Sequence, residues 1–197
     1  MVKIGVLALQ GSVIEHIRSL SRIEDVIPCE VKSTEDLSTV SGIILPGGES
    51  TTMGKLLRDF GLAEPLAGRI RDGMPVWGTC AGMILLAKGI VNETKVHLEV
   101  MDISVRRNAY GSQLDSFNEK AFIPEVSEEE FPLVFIRAPW VETAKNSVKI
   151  LARLDDRIVA VRQSNMLATS FHPELTGNTA FHKYFAQLVR DTGRIPA

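Results

Sequence analysis

Apolar residues run almost unbroken through residues 2–9 (Val2-Lys3-Ile4-Gly5-Val6-Leu7-Ala8-Leu9), the pattern of a parallel strand covered on both faces. The period then changes. Gln10-Gly11-Ser12 is a turn, and Ser12 with Glu15 three residues on has the form of a capping box. Val13, Ile14, Ile17 and Leu20 follow at helical spacing. Residues 26–31 read as a second strand, Thr34 caps a short turn through Leu37, and residues 42–46 read as a third strand. A helix is expected from about Ser50, with Met53, Leu56, Leu57 and Phe60 on one face, and another over residues 63–71. Strands alternating with helices indicate a parallel α/β sheet.

Later the pattern shifts toward alternation. Strands are expected over 96–106, 133–136, 148–154, 158–162 and 166–171, with a loop at 108–111. Short turns such as Asp155-Asp156 make several of them antiparallel. A last helix over 179–190 turns Phe181, Tyr184, Phe185 and Leu188 to the core. The expected fold is therefore α/β and three-layer: a mostly parallel central sheet flanked by helices, with an added antiparallel strand region. At 197 residues, a single domain spanning 1–197 is expected.

One stretch breaks the alternation of strand and helix in an informative way. Pro75-Val76-Trp77 begins as a strand, turns at Gly78-Thr79-Cys80-Ala81-Gly82, and continues through Met83-Ile84-Leu85-Leu86-Ala87 at helical spacing. Gly-x-Cys-x-Gly has the steric logic of a nucleophile elbow, a strained strand-to-helix turn that lifts one side chain from the sheet edge. The glycines leave room for crowded backbone. Cys80 then sits at a helix N-terminus, where the dipole favours the thiolate, the reactive form.

Composition narrows the chemistry. Net charge is −2 with no basic stripe, so no nucleic acid is expected, and Glu128-Glu129-Glu130 reads as a solvated loop or helix start. Two cysteines give no disulfide framework, and Cys29 reads as an ordinary strand residue. No Cys/His cluster has metal-ligand spacing, and no metal or cofactor is expected. The first apolar run is too short to span a bilayer and lacks a cleavage pattern, so no membrane partner and a cytoplasmic location are expected.

A cysteine nucleophile needs a base, and the base an orienting group. Of four histidines, His16 and His182 fall in predicted helices and His97 precedes a strand; these read as surface or packed residues. His172, in Ser170-Phe171-His172-Pro173-Glu174, follows an apolar strand. If the segment stays extended, Glu174 points the same way and reaches one imidazole nitrogen while the other faces Cys80. Candidate donors for an oxyanion are the Ala81 N–H and the Gly47-Gly48 peptide at the end of the neighbouring strand.

Together these residues resemble the class I, triad-type glutamine amidotransferases, with a flavodoxin-like fold. The finer match is to the glutaminase subunits of pyridoxal 5′-phosphate synthases. It is carried by Leu9-Gln10-Gly11, Pro46-Gly47-Gly48-Glu49-Ser50-Thr51-Thr52-Met53, the Cys80 elbow, Arg107-Asn108, Asp115-Ser116-Phe117, Phe135-Ile136-Arg137-Ala138-Pro139 and Ser170 to Thr176. Ser112 departs from it, standing where the pattern has arginine. The resemblance implies hydrolysis of L-glutamine to L-glutamate and ammonia through a Cys80 thioester, with Cys80, His172 and Glu174 as the triad. It implies glutamine contacts at Gly48, Glu49, Ser50, Arg107, Ile136 and Arg137. An arginine suits the α-carboxylate, and Glu49 could balance the α-ammonium. The implied partner is a synthase subunit that takes the ammonia in making pyridoxal 5′-phosphate (vitamin B6), and Gln10 is placed to sense it. The alternatives are the glutaminase of another amidotransferase, such as imidazole glycerol phosphate synthase, and a non-catalytic regulatory subunit on the same fold.

Overall fold

A computed structural model describes residues 1–107 and 116–193. The loop expected at 108–111, Ser112 and Asp115 lie outside the described residues. The first half runs β1 (Val2–Leu7), α1 (Val13–Leu20), β2 (Val26–Val31), α2 (Thr34–Ser38), β3 (Gly42–Leu45), α3 (Ser50–Asp59), α4 (Ala63–Arg71), β4 (Val76–Thr79) and α5 (Ala81–Leu86). The second half runs β5 (Ala87–Ile90), β6 (Met101–Arg106), β7 (Ser116–Ala121), β8 (Phe131–Ile136), β9 (Trp140–Ala144), β10 (Lys149–Leu154), β11 (Arg157–Gln163), β12 (Met166–Thr169), a 3₁₀ turn (Pro173–Leu175) and α6 (Ala180–Thr192).

The main sheet has the order β2-β1-β3-β4-β12-β11-β9-β6-β5, with β10 added beside β11. From β2 to β12 every pairing is parallel, and β12, β11, β9 and β6 then pair antiparallel. β7 and β8 form a separate antiparallel ribbon. The sheet divides the core in two. Leu57, Leu66, Ile70 and Leu85, from α3, α4 and α5, pack on one face. On the other, Trp77, Phe131, Phe135, Phe171, Phe181 and Phe185 form a buried aromatic cluster with α1 and α6. That is the expected three-layer α/β arrangement, and it sets β4 beside β12, so the chain leaves both strands at the same sheet edge. Open parallel sheets bind their ligands at such an edge.

Several local expectations are corrected. Ser33, not Thr34, caps α2, in a capping box with Asp36. Ser12 precedes α1 but makes no cap hydrogen bond. Phe60 ends α3 and is 59% exposed, because the helix stops before its side chain returns to the core face. The strand expected over 96–106 begins only at Met101, and the apolar run after the elbow stops being helical at Leu86, where Ala87 starts β5.

Candidate active site

Cys80 joins β4 to α5 with φ 47° and ψ −102°, a left-handed backbone that costs a non-glycine residue energy. Both flanking glycines are sterically required. A Cβ on Gly78 would run into the Gly82 carbonyl, and one on Gly82 into the Leu45 carbonyl of β3. The elbow is held from the neighbouring strand by Cys80 N–H donating to Thr169 O at 2.8 Å. The thiol is buried, and its sulfur lies 3.8 Å from Ile136 O.

His172 follows β12, and its Nδ1 lies 2.8 Å from Glu174 Oε1. The expected extended path is not what brings them together. Pro173 opens a 3₁₀ turn, whose first position suits proline's fixed φ and missing N–H, and this turn carries Glu174 back beneath the imidazole. His172 is mostly buried, which disfavours its charged form. Hydrogen bonds to Cys80 and Glu174, with the charges of both, outweigh this and raise it to about 10. Burial likewise pushes Glu174 up, but His16, His172 and the Ser12 hydroxyl hold it at about 2. The buried carboxylate is thus an anion beneath a protonated imidazole.

The Gly47-Gly48 corner follows β3 and packs against His172; a Cβ on Gly47 would strike the imidazole. Ser12 N–H donates to Gly47 O at 3.0 Å, and Gln10 Oε1 accepts from Glu49 N–H at 2.9 Å. Residues 10–12 therefore brace the proposed oxyanion loop from outside. Glu49 caps α3, accepting from the N–H groups of Thr51 and Thr52 at 3.0 and 2.6 Å. Its partial burial pushes the carboxyl up, but the Thr52 and Thr51 hydrogen bonds win and lower it to about 2. Arg107 lies 3.3 Å from Glu49 and 3.1 Å from Glu93, so in this state its fork is occupied by protein carboxylates.

A cleft of about 560 Å³ brings the predicted residues together: Gln10, Gly47, Gly48, Glu49, Ser50, Cys80, Ala81, Arg107, Ile136, Arg137 and His172 all line it. Glu174 lies behind His172, out of the cleft. Gly11, Ser12, Ile84 and Leu175 also line it and were not assigned to it from sequence. For Ile84 the only signal was its place one turn after Cys80; Ser12 carried a competing capping signal. Arg137 takes a left-handed φ of 43° just after β8, which turns the chain at the cleft rim. The cleft suits a small molecule with an apolar middle and a charged end. Among the described residues, no group of three or more His, Cys, Asp or Glu could hold a metal ion, and no helix is long and apolar enough to cross a membrane.

The model of the SNO glutamine amidotransferase family matches residues 6–191. The chain is 57% identical to the pyridoxal 5′-phosphate synthase subunit PdxT of Ruminiclostridium cellulolyticum, over 96% of this chain and 100% of that relative. It is 54% identical to the PdxT of Clostridium botulinum, over 94% of this chain and 96% of that relative. A crystal structure of a glutamine amidotransferase superposes with a TM-score of 0.88 at 44% identity, covering 95% of this chain and 98% of the other. PurLQS from Thermotoga maritima shares the fold, with a TM-score of 0.66 at 17% identity over 98% of this chain and 100% of the other.

Proposed function

This chain belongs to the SNO glutamine amidotransferase family, and on that premise we propose how its cleft performs the reaction. The chain is the glutaminase subunit of a pyridoxal 5′-phosphate synthase. It hydrolyses L-glutamine to L-glutamate and ammonia, and supplies the ammonia to the synthase subunit. It works as a single glutaminase domain in the cytoplasm.

In the first step the Cys80 thiolate attacks the side-chain amide carbon of glutamine. The Ala81 N–H and the Gly47-Gly48 peptide hold the oxyanion. The C–N bond breaks as the His172 imidazolium gives its proton to the departing nitrogen, releasing ammonia and leaving a γ-glutamyl thioester. His172, now neutral, takes a proton from water, and the hydroxide adds to the thioester carbon. Collapse expels the Cys80 thiolate and yields glutamate, with His172 protonated again. Glu174 orients the imidazole and stabilises its charged form. Gly48, Glu49, Ser50, Arg107, Ile136 and Arg137 bind glutamine. For Arg107 to take the α-carboxylate, it must release Glu49 or Glu93.

The observation that carries this course is the 2.8 Å contact between His172 Nδ1 and Glu174 Oε1, beneath a cysteine on a strained elbow. An intact triad also separates this reading from a non-catalytic subunit. Gln10 senses the synthase: it holds the Glu49 N–H beside the Gly47-Gly48 peptide, so a partner docked on it resets the oxyanion loop. The test is acid quench of the chain with its synthase and labelled glutamine, followed by peptide mass spectrometry. A γ-glutamyl adduct on the Cys80 peptide is expected. Turnover at the wild-type rate by His172→Asn would overturn the assignment.

A further inference from the structure

Behind the triad lies a second pair of buried histidines that the reaction above does not use. His16, on α1, and His182, on α6, are both fully buried and face the Trp77 indole. His16 Nδ1 lies 3.0 Å from His182 Nε2. His16 Nε2 lies 3.2 Å from Thr79 Oγ1 and 3.4 Å from Glu174 Oε2. The other carboxylate oxygen, Oε1, already accepts from Ser12 and His172. Among the described residues Oε2 is buried without a hydrogen bond, and His16 Nε2 is a polar group set against it.

Charge decides the tautomers. Burial lowers both histidines, His182 to about 3, so both rings are neutral. With Nε2 of His16 bare, a lone pair would face the Glu174 carboxylate, and His182 Nδ1–H would be a buried donor with nothing to bind. With the proton on Nε2, His16 points an N–H at Oε2 and Thr79, and its Nδ1 accepts from His182 Nε2–H. What then goes unpaired is only an acceptor on His182, the milder cost. Catalytic hydrogen bonds are often long in the unliganded state and tighten with substrate bound.

We propose that His16, supported by His182, is a positioning residue that fixes the second oxygen of the Glu174 carboxylate and ties it to the elbow through Thr79. The proposal rests on Glu174 being the triad acid. Ser12 and His16 lie one turn apart, so a single helix end grips both carboxylate oxygens. Thr79 is the residue before Cys80, so the same imidazole touches the nucleophile's strand and the base's partner.

The test separates this from the glutaminase reading by using a probe that does not require turnover. ¹³C-carboxyl glutamate NMR on the whole chain follows Glu174 against pH in the wild type, His16→Phe and His16→Gln. The groups facing His16 are Glu174, His172, His182 and Glu15, so histidine resonances are followed alongside. In His16→Phe the Glu174 midpoint is expected to rise by about one unit or more, while His16→Gln, whose amide can donate to Oε2, stays near the wild type. With glutamine and synthase present, kcat is expected to fall about 10-fold in His16→Phe with KM unchanged. If His16→Phe does not fold, His182→Phe removes the supporting donor and is expected to move the same midpoint by a smaller amount. An unmoved Glu174 midpoint in the folded variant, or equal shifts in His16→Phe and His16→Gln, would overturn the proposal. Absence of glutamine turnover in the wild type, with the NMR shifts as expected, would overturn only the glutaminase reading.

Discussion

Ser12 Oγ donates to Glu174 Oε1 across 2.7 Å, joining residues 162 positions apart in sequence. Its own N–H meanwhile donates to Gly47 O at 3.0 Å. One residue on the turn before α1 thus holds both the carboxylate proposed for the triad and the loop proposed to bind the oxyanion.

Removing that hydroxyl tests how far the carboxylate depends on it. A hydrogen bond to a charged group contributes about 1.5–3 kcal/mol. Ser12→Ala is expected to lower kcat for glutamine roughly 10-fold with little change in KM, since the backbone N–H to Gly47 survives. Ser12→Thr keeps the hydroxyl and is expected to retain most of the rate. Steady-state glutamate release, measured with the synthase present, checks both variants.

The elbow tolerates no side chain at Gly82, where a Cβ would meet the Leu45 carbonyl. Because that oxygen belongs to backbone in a buried strand, the elbow and not the strand must shift. Gly82→Ala is expected to cost about 1–3 kcal/mol of stability. Misplacing Cys80 by about 1 Å is expected to cut turnover about 100-fold. Urea unfolding and glutamate release give the two numbers. A variant with normal stability and normal rate would show that the turn relaxes freely.

Acid stability follows from His182. Burial holds it neutral in the folded chain, lowered from 6.5 to about 3. Its contribution to stability is therefore complete above pH 6.5 and is lost as pH falls toward 3, because the unfolded chain takes up the proton first. Glu174, lowered from 4.5 to about 2, adds its own loss only below 4.5. Between pH 6.5 and 4.5 the chain is expected to lose roughly 2 kcal/mol through His182. His182→Leu is expected to make this stretch of the curve shallower, while His16, also held neutral by burial, keeps part of the slope, read by urea unfolding at a series of pH values.

The grouping of Cys80, His172 and Glu174 is legible in the sequence because each part has a local signature. Gly-x-Cys-x-Gly needs only neighbouring glycines to force the elbow, and His-Pro-Glu is contiguous. The route is not legible there, since the 3₁₀ turn at Pro173 rather than an extended strand delivers Glu174 to His172. Ser12 was hidden because its spacing to Glu15 is that of a capping box. The fold spends the hydroxyl on Glu174, and nothing local encodes a partner 162 residues away. From sequence alone His16 and His182 are surface or packed residues; the structure packs both, and their pairing exists only once α1 and α6 meet over Trp77. The parallel half of the sheet showed itself through apolar runs. β7, with the sequence Ser-Phe-Asn-Glu-Lys-Ala, has no such run because it sits in the separate ribbon, largely exposed. β5 was masked by the apolar run that continues out of α5.

Ammonia release and cofactor assembly are expected to separate at Cys80. The buried, braced elbow presents the proposed nucleophile, whereas Cys29 sits in β2 on the outer edge of the sheet near Lys3 and Asp36, where burial raises its thiol, and it does not line the cleft. Cys80→Ala leaves the strained backbone and both glycines in place, so the complex is expected to assemble while losing glutamine hydrolysis. Cys29→Ala is expected to leave turnover nearly unchanged. Because ammonia is small and diffusible, a high concentration of ammonium salt can replace the channelled supply. A synthase complex carrying Cys80→Ala is therefore expected to make no pyridoxal 5′-phosphate from glutamine, yet to make it from ammonium. Product absorbance with each nitrogen source, at the same synthase and sugar-phosphate concentrations, decides the matter. Failure with ammonium while the synthase alone succeeds would mean that Cys80 does more than release ammonia. Success with glutamine would remove Cys80 from the reaction altogether.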